Sequence, residues 1–203
     1  VEIYGDYAII GSYWDQVDSV KTGSAYIFVR DNTSWSQQAK LTASDGAADD
    51  EFGRSVGIYG DYVIIASLSD DDNGTNSGSA YIFVRSGTSW TQQAKILASD
   101  GAADDRFGTD VAIYGNYAIV GAHSDDNPSN SGCAYILEKS SSGWIETHKL
   151  KSTDAYNDDS FGASVAIHGN YAIIGATGED THSSSRGAGY IFELVNKDQI
   201  SSV

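Results

Sequence analysis

The feature that most constrains the fold of this chain is an internal repeat of 54 or 55 residues. Three kinds of marker keep this spacing: the dipeptide Phe-Gly at Phe52, Phe107 and Phe161, a tryptophan at Trp35, Trp90 and Trp144, and a tyrosine at Tyr7, Tyr62, Tyr117 and Tyr171. Such periodicity is typical of copies of one supersecondary unit that bury their apolar surfaces against each other.

Each repeat is predicted to contain four strands, shown here for the second one. Ser55–Tyr59 alternates apolar and small residues, and Gly60-Asp61 after it is typical of a two-residue hairpin turn. Tyr62–Ala66 is almost continuously apolar, which predicts a strand buried on both faces. Ser79–Val84 is predicted as the third strand, and Trp90–Leu97, which carries Gln and Lys, as an exposed outer strand.

No helical periodicity is present, so the predicted fold class is all-β. Four short antiparallel strands per repeat indicate a β-propeller of four-stranded blades. A β-solenoid would need shorter repeats, and a sandwich would not require repetition. We expect a single domain over residues 1–203, with repeats at approximately 1–53, 54–108, 109–162 and 163–203.

The charge of the chain restricts its partners. It carries 28 acidic and 12 basic residues, a net charge of −16, which disfavours nucleic acid and anionic membrane surfaces. The sequence has no apolar run long enough to insert into a bilayer. Cys133 is the only cysteine and lies in an apolar strand pattern, which predicts a small buried side chain and excludes an internal disulfide.

The repeat unit resembles the FG-GAP repeat of secreted bacterial and algal proteins and, more distantly, of the integrin α-subunit head. The resemblance covers essentially the whole chain. It rests on the segment from the tryptophan through Lys-Leu/Ile-x-Ala-Ser-Asp-Gly-Ala-Ala-Asp-Asp to Phe-Gly and the following apolar strands. It implies a propeller used for adhesion or ligand binding. Because propellers of this family often have about seven blades, we favour part of a larger propeller over a complete four-blade ring.

The calcium site of the integrin repeats has no counterpart in this sequence. That site needs an Asp-rich first hairpin, whereas the hairpin here is only Gly-Asp or Gly-Asn. The candidate calcium site is therefore a different loop, formed by Asp70, Asp71, Asp72 and Asn73. A similar sequence, Asp125-Asp126-Asn127, occurs in the next repeat. The alternative is a solvated polar loop.

Acidic connectors precede each Phe-Gly and are a second group of carboxylates. They contain Asp45, Asp49 and Asp50, then Asp100, Asp104 and Asp105, then Asp154, Asp158 and Asp159. Because Asp accepts hydrogen bonds from nearby backbone N–H groups in turns, we interpret them as turn caps in preference to metal ligands.

Aromatic residues give the candidate ligand face. Tyr4, Tyr59, Tyr114 and His168 end successive first strands and are expected to recur around one face of a propeller, where they can contact sugars or protein. Packing between blades is the alternative role. Tyr13 and Trp14 are added because they stand in a loop without a counterpart in other repeats.

Two N-glycosylation sequons, at Asn32 and Asn73, lie in predicted loops. Together with the acidity and the resemblance, they favour an extracellular or cell-surface glycoprotein, glycosylated if the source is eukaryotic.

No spacing of His, Cys or Ser matches a catalytic motif, so we predict a protein that is not an enzyme and has no catalytic residues. The function predicted first is an extracellular adhesion module that recognises protein or glycan. The alternative is a structural subunit whose copies join into a cell-surface layer or fibril through their sheet edges.

Overall fold

The chain folds into four successive β-sheets. The computed structural model describes residues 1–125, 131–152, 157–178, 187–195 and 199–202. Within these ranges there is no helix, and hence none that could span a bilayer. The all-β prediction is confirmed, as are the four antiparallel strands of each repeat.

The sheets are numbered in chain order. Sheet 1 contains β1 (Glu2–Tyr4), β2 (Tyr7–Ser12), β5 (Ser24–Asp31) and β6 (Ser34–Leu41), and its loop carries a small hairpin of β3 (Gln16–Val17) and β4 (Val20–Lys21). Sheet 2 contains β7 (Phe52–Tyr59), β8 (Tyr62–Ser67), β9 (Ser79–Ser86) and β10 (Ser89–Ile96). Sheet 3 contains β11 (Val111–Tyr114), β12 (Tyr117–Ala122), β13 (Cys133–Ser140) and β14 (Gly143–Leu150). Sheet 4 contains β15 (Phe161–His168), β16 (Tyr171–Ala176), β17 (Ala188–Val195) and β18 (Gln199–Ser202).

Every sheet is an antiparallel meander in chain order. The first hairpin has the predicted two-residue turn: Tyr59 pairs with Tyr62 around Gly60, whose φ is +60°. The first strand of sheet 2 begins at Phe52, earlier than predicted, because a bulge between Phe52 and Val56 brings the Phe-Gly dipeptide into the sheet.

The Phe-Gly dipeptide joins each sheet to the one before it. Phe52 is fully buried, its N–H donates to the Thr22 carbonyl at 3.0 Å, and it forms a parallel bridge with Gly23 of sheet 1. Gly53 has φ +92°, and a Cβ there would lie 2.3 Å from the Ser24 carbonyl oxygen. Two sheets thus meet backbone to backbone where only glycine fits. The same bridge recurs at Phe107 and Phe161.

Three apolar cores lie between consecutive sheets. The core between sheets 1 and 2 centres on Ile9, Phe52 and Ile65, and similar cores follow between sheets 2 and 3 and between sheets 3 and 4. The first strand of each sheet packs on its predecessor, whereas sheets 1 and 4 are the two ends of the array. The described sheets form no closed ring.

The prediction that the second strand is buried on both faces holds only in the inner sheets. Val63, Ile64, Ile65 and Ala66 have no exposed surface. In the end sheets the prediction was wrong for one face, since Ile10 is 40% exposed and Ile173 is 49% exposed. A strand is buried on both faces only when a sheet lies on either side of its own.

The fourth strand is the outer edge of its sheet, as predicted, and it is mostly exposed in sheet 1 but mostly half-buried in sheets 2 and 3. Trp90 and Trp144 occupy equivalent places on it and contact Tyr7 and Tyr62 of the preceding sheet, with ring centroids 6.4 and 5.9 Å apart. Trp35 has the same place in its strand but no preceding sheet, and it is 42% exposed.

Two features of the connecting segments complete the fold. The turn-capping interpretation is confirmed for Asp50 and Asp105, which accept hydrogen bonds from the Ala47 and Ala102 N–H groups at 2.6 and 2.7 Å. Asp154 lies outside the described residues. Cys133 is fully buried, so the prediction of a small buried side chain is confirmed, and burial raises the pKa of its thiol.

Candidate functional site

Four aromatic rings form a continuous row across the array. The ring centroids of Tyr4 and Tyr59 are 4.8 Å apart, those of Tyr59 and Tyr114 are 4.5 Å apart, and those of Tyr114 and His168 are 4.4 Å apart. The structure thus brings together four of the six side chains that the sequence placed on one face. We call this row the aromatic ladder.

The ladder follows directly from the repeat. Each of its residues ends the first strand of its sheet, immediately before the glycine of the hairpin turn. Because these first strands pack side by side, the last residue of each meets its counterpart in the next sheet. The interplanar angles between neighbouring rings lie between 46° and 50°, so the rings are tilted and show edges as well as faces.

The ladder is partly buried and partly open. Tyr59 and Tyr114 are half-buried between their neighbours, while Tyr4 is 40% exposed and His168 is exposed. Desolvation, with the neighbouring tyrosines, raises the pKa of Tyr59, so its hydroxyl remains a neutral hydrogen-bond donor at neutral pH. Packing and recognition are compatible here, since the contacts that hold the ladder leave its outer side in solvent.

Paired charges lie at the same end of the sheets. The Arg30 guanidinium donates to Asp6 Oδ1 from Nη2 at 2.6 Å, and Arg85 pairs with Asp61 in the same way. Arg85 also lies over the Tyr7 ring at 4.3 Å from the centroid and donates to its hydroxyl at 2.8 Å. These pairs place cationic hydrogen-bond donors and anionic hydrogen-bond acceptors beside the aromatic rings.

Tyr13 and Trp14 are not part of this face, so the predicted single aromatic face was wrong. They follow the last residue of β2, whereas the ladder lies at the hairpin where β2 begins, at the opposite end of the strand. Their rings are 5.2 Å apart, with Arg54 over Tyr13 and Lys21 over Trp14, each at 4.8 Å. Trp14 is 64% exposed.

A buried carboxylate cluster lies inside sheet 2. Asp70 is 3% exposed, and its Oδ2 is 2.9 Å from Lys95 Nζ. The same oxygen accepts hydrogen bonds from Ser79 Oγ at 2.9 Å and from Tyr81 OH at 3.0 Å. Four polar side chains from the loop, the third strand and the fourth strand thus satisfy one another.

The cluster recurs at the repeat spacing. In sheet 3, Asp125 Oδ2 lies 2.6 Å from Lys149 Nζ, and it accepts hydrogen bonds from Tyr135 and Cys133. In sheet 1, Asp15 lies 2.9 Å from Lys40 Nζ and accepts hydrogen bonds from Ser24 and Tyr26, each at 2.6 Å. Sequence reasoning missed this cluster, although an Asp, a Tyr and a Lys at constant repeat positions were a sufficient signal.

A second carboxylate from the preceding connector completes the inner clusters. Asp45 accepts hydrogen bonds from Tyr81 OH at 3.0 Å and Lys95 Nζ at 2.8 Å, and Asp100 does the same with Tyr135 and Lys149, each at 2.8 Å. Burial opposes ionisation of Asp45, but the hydrogen bonds from Lys95 and Tyr81 outweigh it and lower its pKa. The connector is thereby fixed to the sheet that follows it.

Comparison with known families identifies this repeat. The FG-GAP repeat matches residues 35–83, 90–137 and 144–192, which together make up most of the chain. The chain belongs to the FG-GAP repeat family. Each matched segment of this FG-GAP chain begins at the tryptophan of one sheet and ends in the third strand of the next, so the family unit spans the junction between sheets. FG-GAP repeats are found in adhesion and binding modules. No curated protein matches the chain.

In this FG-GAP chain the loop proposed for calcium is held by protein groups. Lys95 Nζ lies 2.9 Å from Asp70 and 2.7 Å from Asp72, and Asp71 Oδ1 accepts a hydrogen bond from the Asn76 N–H at 2.8 Å. Asn73 donates to the Ala98 carbonyl at 3.3 Å. Within the described residues no group of three or more His, Cys, Asp or Glu side chains is arranged for a metal ion. Asp126 and Asn127 lie outside them.

The two sequons of the FG-GAP chain differ in their surroundings. Asn32 is at the tip of the β5–β6 hairpin, is exposed, and has φ +55°. Asn73 is also exposed, but its side-chain amide donates to the Ala98 carbonyl and its backbone N–H donates to Ser77 Oγ. A glycan on Asn32 would extend from a hairpin tip without affecting the contacts of the cluster loop. Glycosylation itself stays a prediction.

Proposed function

We propose that this FG-GAP chain is an extracellular, non-enzymatic binding module that recognises a protein or glycan through the aromatic ladder. The observation that carries the proposal is the unbroken row from Tyr4 to His168 at the hairpin ends of four sheets. Tyrosine rings offer apolar faces together with a hydroxyl donor, a combination suited to sugar rings and to protein side chains. The net charge of −16 favours neutral or basic ligands and disfavours nucleic acid.

We also propose that the four sheets are blades of a β-propeller. The first strands of consecutive sheets pack side by side, an arrangement that lines the axis of a propeller. In that geometry the ladder would face the mouth of the central channel, where ligands of propellers can be surrounded by several blades at once. This placement supports the binding role without requiring a metal or a catalytic residue.

The test uses the whole chain on a glycan array, followed by calorimetry with the oligosaccharide that gives the strongest signal. The variants are Tyr4→Ala and His168→Ala, which remove the exposed members of the ladder, and Trp14→Ala serves as the matched control at the opposite end. We expect the ladder variants to weaken binding by tenfold or more and the control to leave it unchanged. Loss of binding only in Trp14→Ala would move the site to the Tyr13–Trp14 pair.

A protein ligand is tested with the same three variants. Crosslinking of the chain to extracellular matrix extract, with the same three variants, separates capture by the ladder from capture elsewhere on the surface. If neither the array nor the crosslinking gives a signal that depends on Tyr4 or His168, the ladder is only a packing device and the proposal fails.

The second candidate function is a structural subunit whose copies join into a layer or fibril. The observation that favours it is the exposure of large apolar side chains on the outer faces of sheets 1 and 4, among them Ile3, Ile10, Ile173 and Ile191. Contiguous exposed apolar side chains are typical of interaction surfaces. Electron microscopy of the natural material tests it directly, since a layer or fibril of this protein would show a regular repeat.

A further inference from the structure

The aromatic ladder brings three phenol rings from three different sheets into direct contact. The ring centroids of Tyr4 and Tyr59 are 4.8 Å apart, and those of Tyr59 and Tyr114 are 4.5 Å apart. Aromatic pairs in proteins ordinarily lie about 4.5 to 7 Å apart, so both contacts are at the close end of the range. In the described part of the chain, the tyrosines of the other ring contacts face Phe, Trp or His. Tyr59 thus has a tyrosine on either side.

The hydroxyl groups of the three tyrosines also lie near one another. Desolvation raises the pKa of Tyr59, and charge and hydrogen-bond interactions with the hydroxyls of Tyr114 and Tyr4 raise it further. Such interactions require neighbouring hydroxyls, so the hydroxyl-bearing ends of the rings meet. The ring carbons next to the hydroxyls, where a tyrosyl radical carries much of its unpaired electron density, therefore lie close together across two junctions between sheets.

The surroundings of the rings decide what a radical on the ladder can react with. Tyr59 and Tyr114 are half-buried and Tyr4 is 40% exposed, so each keeps some surface in solvent where an oxidant can take an electron. A half-buried ring offers little surface to a ring of another molecule. Because neighbouring phenols in contact are oxidised with similar ease, a radical exchanges along the row and meets its neighbour there first.

We propose that the aromatic ladder is an oxidative cross-linking site, at which Tyr59 forms a carbon–carbon bond with Tyr114 or with Tyr4 to give dityrosine. This inference is independent of ligand recognition by the ladder. It shares with the proposed function only the extracellular location, where a secreted chain meets hydrogen peroxide and haem peroxidases.

The reaction balances with one equivalent of hydrogen peroxide. Each of the two phenols loses one electron and one proton and becomes a phenoxyl radical. The radicals combine through the ring carbons next to their oxygens, and the hydrogen on each bonded carbon then moves to the oxygen of its ring, which restores both phenols. Two electrons and two protons leave in total, and a haem peroxidase transfers them to hydrogen peroxide, which becomes two molecules of water.

The bond would join sheets that no disulfide within the chain can join. Cys133 is the only cysteine of the sequence, and it is fully buried. Tyr59 and Tyr114 end the first strands of sheets 2 and 3, whereas the bridge between Gly78 and Phe107 joins the same two sheets near the other end of these strands. Cross-linking would therefore fasten the junction covalently at the end where the main-chain bridge is absent.

Peroxidase and hydrogen peroxide, added to the dilute whole chain, test the proposal. Dityrosine fluorescence measures the yield, and mass spectrometry of tryptic peptides locates the bond, because Tyr4, Tyr59 and Tyr114 lie in three different tryptic peptides. We expect a product that runs as a monomer on a denaturing gel. Its linked peptides are expected to contain Tyr59 and to weigh two hydrogen atoms less than their sum.

Phenylalanine variants keep the rings and remove the phenol. We expect Tyr59→Phe to lower the yield of intramolecular dityrosine tenfold or more, since it interrupts both contacts. Tyr114→Phe should leave the bond between Tyr4 and Tyr59, and Tyr4→Phe the bond between Tyr59 and Tyr114. The matched control is Tyr171→Phe, because Tyr171 is 48% exposed and lies outside the ladder. Its yield should equal that of the unmodified chain.

The cross-linked monomer should also unfold at a higher temperature. A bond between residues one repeat apart restricts the unfolded chain, and we expect the midpoint of thermal unfolding to rise by roughly 10 °C over Tyr59→Phe treated in the same way. Two results overturn the proposal: a folded chain without intramolecular dityrosine, and a yield that Tyr59→Phe leaves unchanged. Neither result bears on ligand binding by the ladder, so the binding and cross-linking proposals fail separately.

Discussion

Sheets 1 and 2 have nearly the same sequence pattern and very different surroundings. Ile65 of sheet 2 is fully buried, whereas Ile10 at the same repeat position in sheet 1 is 40% exposed. Trp90 is packed on Tyr7 while Trp35 has no sheet to pack on. The contribution of a repeat residue to stability is therefore set by its neighbours as much as by its identity, as expected for a quasi-one-dimensional array.

The largest expected difference between the two sheets concerns core truncation. Ile65→Ala leaves a cavity in a closed core and is expected to reduce the free energy of unfolding by about 3 kcal/mol. Ile10→Ala removes the same atoms from a surface and is expected to cost under about 1 kcal/mol. Urea unfolding of both variants measures this difference. Equal losses would show that the outer face of sheet 1 is covered in the folded protein.

The buried ion pair should show the next largest difference. Lys95→Met leaves Asp70, 3% exposed, without a cation, and we expect a loss of about 2 kcal/mol because Ser79 and Tyr81 still donate to it. The matched change Lys40→Met affects Asp15, whose side chain is 25% exposed, and should cost about 0.5 kcal/mol. Thermal unfolding of the two variants ranks them, and a larger loss for Lys40→Met would contradict the assignment.

The tryptophans give a smaller but well-matched comparison. Trp90→Ala removes the ring contact with Tyr7 and the hydrogen bond from Nε1 to Gln38 Oε1 at 2.9 Å, with an expected cost of about 1.5 kcal/mol. Trp35→Ala removes a ring that is 42% exposed and should cost about 0.5 kcal/mol. Urea unfolding compares the two variants. If both cost the same, the junction contact of Trp90 contributes nothing specific.

The smallest expected effect is a pH dependence that separates the connector carboxylates Asp45 and Asp100 from Glu2 at the first strand. The pKa values of Asp45 and Asp100 are lowered: burial opposes ionisation but the Lys and Tyr hydrogen bonds outweigh it. Their contribution is fully present above the ordinary Asp value of 3.8 and is lost as pH falls through the folded pKa. Burial raises the pKa of Glu2 in sheet 1, so its effect has the opposite sign and favours the fold at lower pH.

Urea midpoints between about pH 7 and about pH 3 measure this dependence. We expect the fall in stability at acid pH to become shallower in Asp45→Asn and Asp100→Asn, whereas Glu2→Gln should make it steeper. An unchanged slope in both Asp variants would show that these carboxylates have the same pKa folded and unfolded.

The aromatic ladder was found from sequence, but its continuity was not. Tyr4, Tyr59, Tyr114 and His168 were identified because they recur at the end of the first strand. That consecutive rings touch at 4.4 to 4.8 Å depends on the packing of first strand on first strand, which repeat spacing does not specify. Tyr13 and Trp14 were placed with them wrongly, because residue type gives no information about which end of a strand a loop occupies.

The sequence by itself determined the all-β class, the four strands of each repeat, the two-residue turns, the edge position of the fourth strand and the buried Cys133. These follow from side-chain periodicity and turn chemistry, which act over a few residues. Only the tertiary structure decided that Asp70 is neutralised by Lys95, that Phe52 bridges to Gly23, and that Ile10 and Ile173 remain exposed. The reason is physical: each of these depends on which groups from distant parts of the chain come within a few ångströms, and a local pattern cannot specify that distance.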